Sequence, residues 1–255
     1  MAERILDVAK LGAEERLLDL GCGTGNGALA AVRRLRPSGR VTGVDLAEGM
    51  VLFAANKAAG EGVRNVDYAR MDCRRLGVAD ESFHVVTSVL GVPSVGHARC
   101  FAEARRVLRD AGRFVFCEWS GKGVPIGNAF RETLEKYRRR PLPDDVERLL
   151  EARRVIHASG QPAELRDPEG VVRRLASVGF AHAEFTTESI TDVFPSVDAF
   201  LNNMASWGDN EREFRAMTPA DREGFRREFE DRVASMITDE GLVVVHQVRY
   251  FSAVR

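Results

Sequence analysis

Runs of mostly apolar residues alternate along the chain with stretches whose apolar positions recur every three or four residues. Runs of the first kind are typical of β-strands covered on both faces, and those of the second kind of amphipathic helices. The predicted strands are residues 16–20, 40–46, 66–71, 83–90 and 113–118. The predicted helices between them are residues 27–35, 48–60 and 97–109. This alternation predicts an α/β fold whose mostly parallel sheet carries helices on both faces.

After residue 119 the pattern loosens into two predominantly helical excursions. The first holds a basic stretch that ends near Arg140 and a predicted helix at 145–158, and a helix at 168–178 then leads to a sixth strand at 181–187. The second holds Ser196 as a helix cap and a predicted helix at 219–237, and the final strand covers 242–254. Because both excursions exceed an ordinary loop, we expect one domain over residues 1–255 with helical lid insertions at about 121–166 and 191–241.

One face of the predicted helix at 219–237 carries only apolar residues: Phe225, Phe229, Val233 and Met236. Such a stripe usually packs on the rest of its own domain. A surface for a second copy of the chain is the alternative, so a homodimer stays open. The arginines at 138–140 favour a solvated helix end over a site for an anion or nucleic acid.

Three acids follow or end the first three strands, and a glycine-rich turn follows the first of them. Asp19, Asp45 and Asp72 occupy these strand ends, where ligands bind in open α/β sheets. The turn at 21–25 has glycine at every second position, which lets the backbone approach a ligand closely. A dinucleotide-binding turn places its third glycine three residues after the second, where this chain has Asn26. The loop therefore suits an amino-acid tail better than a diphosphate.

These motifs resemble the class I S-adenosylmethionine-dependent methyltransferases, in the branch that includes the ubiquinone/menaquinone C-methyltransferases. The resemblance rests on DLGCGTG at 19–25, VDLAEGM at 44–50, the step at 71–73, and ARRVLRDAGRFVFCEW at 104–119. It implies a Rossmann-like, seven-stranded sheet whose last strand runs antiparallel between the fifth and sixth. The chain departs from the family pattern at Ala47, where such proteins commonly have a capping serine, and at His84, where they usually have an aspartate.

The resemblance implies S-adenosylmethionine as cofactor and S-adenosylhomocysteine as product. Asp45 is expected at the ribose, Asp72 at the adenine amine, and the backbone of residues 21–25 at the methionine portion. Leu46 and Met50 are expected to pack on the adenine. The full set of expected cofactor-binding residues is Asp19, Gly21, Cys22, Gly23, Gly25, Asp45, Leu46, Met50, Asp72, Cys73 and Ser88.

His97 follows the fourth strand on the ligand side of the sheet and is the predicted general base for an acceptor that must lose a proton. The alternative is a histidine that begins a helix with its ring in solvent. We expect the acceptor pocket to be apolar and aromatic, since the two excursions must cover the site. Its predicted residues are Trp119, Phe130, Tyr137, Phe194, Met204 and Trp207. Residues 120–165 and 191–210 are expected to close over the cofactor as a lid.

Composition changes this picture little. The formal net charge of −1 over 255 residues gives no reason to expect nucleic acid or a membrane as partner. No apolar run reaches the ~18 residues of a membrane-spanning helix, and we expect a cytoplasmic protein. The cysteines, Cys22, Cys73, Cys100 and Cys117, are too scattered for a metal clamp, so reduced thiols and no metal site are expected.

The sequence therefore predicts a methyltransferase for a small, apolar or aromatic metabolite, by O-, N- or C-methylation and in specialised metabolism. The alternative is a protein of the same fold that binds S-adenosylmethionine without methylating, as a cyclase or an auxiliary protein. The acceptor itself has no signature in the sequence.

Overall fold

The structure is a computed structural model that describes residues 1–120, 125–138, 141–206 and 208–255. The chain divides into two compact units. The first comprises Met1–Ser120, Gly160–Glu188 and Val248–Arg255, and the second comprises Gly121–Ser159 and Ser189–Gln247. The second unit therefore draws on both predicted insertions, while residues 160–166 of the first insertion belong to the first unit.

Eight strands form one sheet: β1 (Arg16–Leu20), β2 (Arg40–Asp45), β3 (Val66–Arg70), β4 (Phe83–Val89), β5 (Leu108–Trp119), β6 (Ala181–Phe194), β7 (Ile237–Thr238) and β8 (Gly241–Val254). Their order across the sheet is β3-β2-β1-β4-β5-β8-β6, and the two-residue β7 pairs with β8 off this path. The first five strands pair in parallel, and β8 runs antiparallel to β5. The predicted seven-stranded, mostly parallel sheet with an antiparallel last strand is confirmed.

The helices of the first unit are α1 (Ala2–Val8), α2 (Asn26–Arg34), α3 (Glu48–Gly60), α4 (His97–Val107), α7 (Gln161–Glu164) and α8 (Pro168–Ser177). Helix α3 has the predicted bounds, but α4 ends two residues before the predicted end. Leu108 already adopts an extended conformation at φ −74° and ψ 144°, so β5 begins there and not at Arg113. The pairing of β4 with β5 is irregular near this early start: its register shifts between Phe83 and Val85.

The core of the first unit lies between the sheet and helices α4 and α8. Phe101, Ala104, Val107 and Leu108 are fully buried, as the helical periodicity predicts. Rings from the sheet continue this core, with Phe116 stacked on Phe251 at 4.8 Å. Each fully buried side chain of this size contributes about 1.5–3 kcal/mol. The sheet that carries the strand-end acids is therefore stabilised by a well-packed core.

The second unit contains the helices α5 (Pro125–Tyr137), α6 (Asp144–Ala158), α9 (Val197–Ala205), α10 (Gly208–Ala216) and α11 (Pro219–Val233), followed by a short 3₁₀ turn. The apolar stripe of α11 lies inside this unit: Phe225, Phe229 and Val233 are buried. Phe130 of α5 meets Phe225 and Phe229 edge-on. The stripe is thus internal packing and is no surface for a second copy. The Ser196 hydroxyl caps α9 by accepting the Ala199 N–H at 3.1 Å.

Two smaller observations complete the fold. All four cysteines are free, with Cys22, Cys100 and Cys117 buried and Cys73 half-buried. No helix in the described part of the chain has the length and apolar character that crossing a membrane requires.

Candidate functional site

The glycine loop after β1 has a backbone that side chains would obstruct. Gly21 has φ +65°, and a Cβ there would stand 2.8 Å from Gly91 Cα. Gly25 has φ +82°, and a Cβ there would stand 2.6 Å from the Tyr68 hydroxyl oxygen. At Gly23, in contrast, no described atom lies within 4 Å of a Cβ. The loop is tightly backed on two sides and open at its middle, which leaves a cradle.

Asp45 ties this loop to the next strand. Its Oδ2 accepts the Gly23 N–H at 2.9 Å, and its Oδ1 accepts the Ala47 N–H at 2.9 Å. Both carboxylate oxygens are thus fixed by backbone donors, and each keeps a lone pair for a ligand. Ala47, at the N-cap of α3, makes no side-chain cap. The aspartate therefore orients the loop and the start of α3 together.

Asp19 lies beneath the loop with 2% of its surface exposed. The Thr87 hydroxyl donates to its Oδ1 at 3.1 Å. Burial raises the pKa of the Asp19 carboxyl to about 7, against the opposing effect of the hydrogen bonds from Thr87 and the backbone of Ala28. A Cβ at Gly27 would stand 2.8 Å from Asp19 Oδ2, so the glycine lets α2 approach this acid. A cation near the loop would favour the ionised form.

Two further predicted residues support the loop from inside. The Ser88 hydroxyl donates to the Leu20 carbonyl at 2.8 Å and is fully buried. The Cys22 N–H donates to the Val44 carbonyl at 3.0 Å. Burial raises the pKa of the Cys22 thiol to about 12, so it is no nucleophile at neutral pH. The Ser88 side chain and the Cys22 backbone thus hold the loop in place.

Asp72 and Cys73 stand after β3. The Asp72 carboxylate accepts the Arg74 guanidinium at 2.8 Å and 2.9 Å, and these bonds lower its pKa. Asp72 is therefore ionised but largely occupied by its neighbour. Cys73 packs on the core of the first unit. Its expected role at the cofactor, like that of Asp72 at an adenine amine, stays a prediction.

Four large apolar side chains near the start of α3 are exposed to an unusual degree. Leu46, Met50, Leu52 and Phe53 are 58%, 45%, 57% and 57% exposed. Met50 and Phe53 are three residues apart on the helix and so share a face. Large apolar groups left in water favour a ligand's ring system as their partner. Phe53 was missed in the sequence, where its three-residue spacing from Met50 was the available signal.

His97 begins α4, but its ring is not in solvent: the residue is 3% exposed. Its Nε2 lies 3.2 Å from Glu164 Oε2, and its ring meets Phe101 edge-on at 5.7 Å. Burial lowers the pKa of the imidazole, which favours the neutral form. The described residues that line the cavity beside it come from α7, α8 and the turn between them. None of the predicted cofactor residues is among them, and the role of His97 as base stays a prediction.

The structure places the predicted pocket residues in different parts of the fold. Phe130 and Met204 line one cavity of the second unit, while Tyr137 and Phe194 pack against Phe225 and Phe200 in that unit's core. Trp119 ends β5 in the first unit. Trp207 lies outside the described residues.

Glu118, next to Trp119, was missed. Its Oε1 is buried without a hydrogen-bond partner in the described structure, and burial raises the pKa of the carboxyl to about 8. The signal in the sequence was a single acid after the apolar run FVFC, at the carboxyl end of a strand. A buried, unpaired carboxyl is costly, which makes such a group a candidate for function.

Tyr68 is a second missed residue. Its ring backs Gly43 and Gly25, and its buried hydroxyl has no partner within the described chain. An alternating strand offered no sign in the sequence that this hydroxyl would face the loop.

Comparison with known proteins finds relatives of the part of the chain that carries this loop. A model of the methyltransferase domain family matches residues 17–112, which contain the loop and all three strand-end acids. The chain is 33% identical over 130 residues to the ubiquinone/menaquinone biosynthesis C-methyltransferase UbiE of Geobacter sulfurreducens, half of each chain. These matches support a methyltransferase domain of the class I S-adenosylmethionine-dependent kind over residues 17–112.

The chain also matches the aklanonic acid methyltransferase DauC of a Streptomyces species, with 33% identity over 120 residues, 46% of the chain and 53% of the relative. It spans about half the length of the curated relatives that it matches. The YcgJ protein of Bacillus subtilis shares the fold, with a TM-score of 0.62 at 18% identity over all of this chain and 97% of that one.

The cofactor of this methyltransferase family is S-adenosylmethionine, and the residues present fit it. The open space at Gly23 leaves room against the loop backbone. Asp45 presents oriented lone pairs to hydroxyl groups, and the unpartnered Tyr68 hydroxyl lies beside Gly25. The exposed side chains Leu46, Met50 and Phe53 offer an apolar ledge for a ring. These groups match the hydroxyl, amine and aromatic parts of the cofactor in kind.

Proposed function

We propose that the protein transfers a methyl group from S-adenosylmethionine to a small, apolar or aromatic metabolite. The observation that carries this proposal is the carboxylate of Asp45, held by the N–H groups of Gly23 and Ala47 at the rim of an open glycine cradle. One relative is named as a C-methyltransferase of ubiquinone/menaquinone biosynthesis and another as an aklanonic acid methyltransferase, and both names support acceptors of this class.

The cofactor supplies an electrophilic methyl group on a sulfonium. The chain's part is to bind, orient and exclude water: Asp45 holds the ribose, the backbone of residues 21–25 holds the methionine portion, and Leu46, Met50 and Phe53 cover the adenine. Asp19 beneath the loop favours a cation above it once the carboxyl ionises. Fixing two reactants in line contributes roughly 7–11 kcal/mol to lowering a barrier, so positioning alone accounts for much of the rate.

An acceptor that must lose a proton also needs a base. Glu118 is the stronger candidate, because its carboxyl is buried, unpaired on Oε1 among the described residues, and at the same end of the sheet as the acids. A pKa of about 8 would suit proton abstraction near neutral pH. His97, predicted from its position after the fourth strand, also has a buried unpaired atom, Nδ1, among the described residues. It is the second candidate because Glu164 engages its Nε2 and the cavity beside it contains none of the predicted cofactor residues.

The test is a turnover assay with the purified protein, S-adenosylmethionine and a panel of phenols, quinols, amines and carbon acids. We expect S-adenosylhomocysteine to form together with a product heavier by one methyl group. Tight binding of S-adenosylhomocysteine without any methylated product over the whole panel would favour the non-methylating alternative. If the protein bound neither S-adenosylmethionine nor S-adenosylhomocysteine, the cofactor assignment would be overturned as well.

A further inference from the structure

The second unit contains a cavity of about 940 Å³ between α5, α6, α9 and α10. Its apolar wall is built by Phe130 and Leu134, which are 2% and 4% exposed, together with Leu150 and Met204. A volume near the upper end of the usual range for ligand sites leaves room for a body of several rings. The wall alone would suit a neutral hydrocarbon.

Arginines complete the lining and change its chemistry. Arg138 donates to Glu213 at 2.6 Å and 2.9 Å, and Arg153 reaches the same carboxylate at 3.2 Å. The Glu213 side chain is only 1% exposed, so a buried carboxylate holds both guanidinium groups in place. Arg138 also contacts Glu135. This cluster fixes one side of the cavity and approximately balances its own charge.

Two more arginines line the same cavity with weaker engagement. Arg131 donates to the neutral Asn128 side chain at 2.8 Å. Arg154 pairs with Glu151 at 2.8 Å, but both side chains are more than 60% exposed. An ion pair so open to water is worth little, so exchange of Glu151 for a ligand's carboxylate costs little. The lining thus combines four arginines with two glutamates.

We propose that this cavity binds an organic carboxylate with an apolar body of several rings. The rings lie against Phe130, Leu134 and Met204, and Arg131 and Arg154 receive the carboxylate, since guanidinium groups match its two oxygens. The inference rests on the proposed function only for the ligand's role as methyl acceptor. The binding itself requires neither cofactor nor methyl transfer.

Gly127 offers a clean way to fill the cavity. It lines the site from within α5, and no described atom lies within 4 Å of a Cβ placed there. Gly127→Leu should therefore narrow the cavity along α5 without breaking an ion pair, and it replaces a poor helix former by a good one. Gly127→Ala adds one methyl group and serves as the smaller variant of the same helix position.

The test is a fluorescence titration of the cofactor-free protein with anthracene-2-carboxylate and with the uncharged anthracene-2-carboxamide. We expect the carboxylate to bind at least tenfold more tightly. Arg131→Gln should remove most of that preference, and Gly127→Leu should weaken binding of both probes severalfold while Gly127→Ala retains it. Arg215→Gln is the control, because Arg215 pairs with Glu211 on the exposed surface of α10 outside the lining.

Equal affinity for the two probes would overturn the assignment of a carboxylate. Undiminished binding of anthracene-2-carboxylate to Gly127→Leu would place the binding elsewhere and overturn the site. Because neither measurement uses S-adenosylmethionine, such a failure would leave the proposed methyl transfer standing. Failure of the turnover assay would likewise leave the binding result standing.

Discussion

Asp45 joins two backbone segments through one side chain, and this is where a single residue matters most. Replacing it by alanine removes the acceptor of the Gly23 and Ala47 N–H groups and the proposed partner of the ribose. Hydrogen bonds to a charged group are worth about 1.5–3 kcal/mol, so affinity for S-adenosylhomocysteine should fall roughly 10- to 150-fold in Asp45→Ala. Calorimetry measures this directly. Asp67→Ala, which removes an exposed partner of Arg40, is the matched control, and wild-type affinity in Asp45→Ala would refute the assignment.

Asp19 makes stability depend on pH. Its pKa is about 7 in the fold against 3.8 for a free side chain, so between these values the unfolded chain releases a proton that the fold retains. The free energy of unfolding of the cofactor-free protein therefore falls as pH rises from about 4 to about 7, by on the order of 4 kcal/mol from this residue.

Asp19→Asn removes that titration. Its free energy of unfolding, relative to that of the wild type, should rise by on the order of 4 kcal/mol from pH 4 to pH 8. Urea titrations at a series of pH values supply the comparison. A difference between Asp19→Asn and wild type that stays constant with pH would contradict a raised pKa at Asp19.

The two candidate bases are separated by the pH dependence of kcat. With Glu118 as base, kcat should rise with pH up to about 8, where the carboxyl ionises. Glu118→Gln should lower kcat by ~10²–10⁴ and flatten this rise, while His97→Gln keeps it. The reverse pattern would make His97 the base, and near-normal rates in both variants would leave positioning alone.

At the residue scale, the sequence was informative where chemistry depends on backbone position. The glycines and strand-end acids could be predicted because a parallel sheet brings its carboxyl ends to one edge. Glu118 and Tyr68 could not, since their distinguishing property is an unpartnered atom inside the fold, and burial of a single oxygen has no periodic signature.

The N-terminus of helix α3 lacks a capping side chain, which a substitution could supply. Ala47 stands at its N-cap with φ −84° and ψ 110°, a conformation suited to a capping side chain, yet it offers none. Ala47→Ser should raise the free energy of unfolding by about 0.5–1 kcal/mol. Ser196→Ala, which removes the cap of α9, should lower it by a similar amount. Denaturant titrations test both. An unchanged or lowered stability in Ala47→Ser would show that the hydrogen bond from the Ala47 N–H to Asp45 already stabilises the N-terminus of α3.

Among the elements, the sequence predicted best those that combine long apolar runs with clear ends. Helix α3 and strand β1 have their predicted bounds, whereas β5 begins five residues early, because Leu108 serves the helix pattern and the strand equally well. The short α1 and the helix α10 were missed. The seven residues of α1 give too few turns for a periodic signal, and α10 has only Phe214 and Ala216 as apolar residues, so no apolar face recurs along it.

For the whole molecule, the predicted excursions mark where the chain leaves the first unit. The segments Gly121–Ser159 and Ser189–Gln247 are far apart in sequence but join in one compact unit around Phe130, Phe200 and Phe229. The sequence indicated the apolar face of α11 but not its partner, because pairing between distant segments depends on shape. That the unit acts as a lid stays a prediction.

Strand β8 stands between β5 and β6 in the sheet, although it follows β6 in the chain. During refolding, β6 has no neighbour in the sheet until β8 arrives. Pulsed hydrogen exchange should therefore show amides of β1 and β4 protected first and those of β6 no earlier than those of β8. Earlier protection of β6 would contradict this order.

During synthesis on a ribosome, this topology delays the pairing of β6 with β8. About 60 residues separate the end of β6 from the end of β8, which at 5–20 residues per second is roughly 3 to 12 s of synthesis. For that time β6 is an unpaired strand of high β-propensity, the kind that associates with other nascent chains. Glu184, Glu188 and Asp192 recur along it at every fourth position, and like charges on an unpaired strand disfavour its pairing with a second copy.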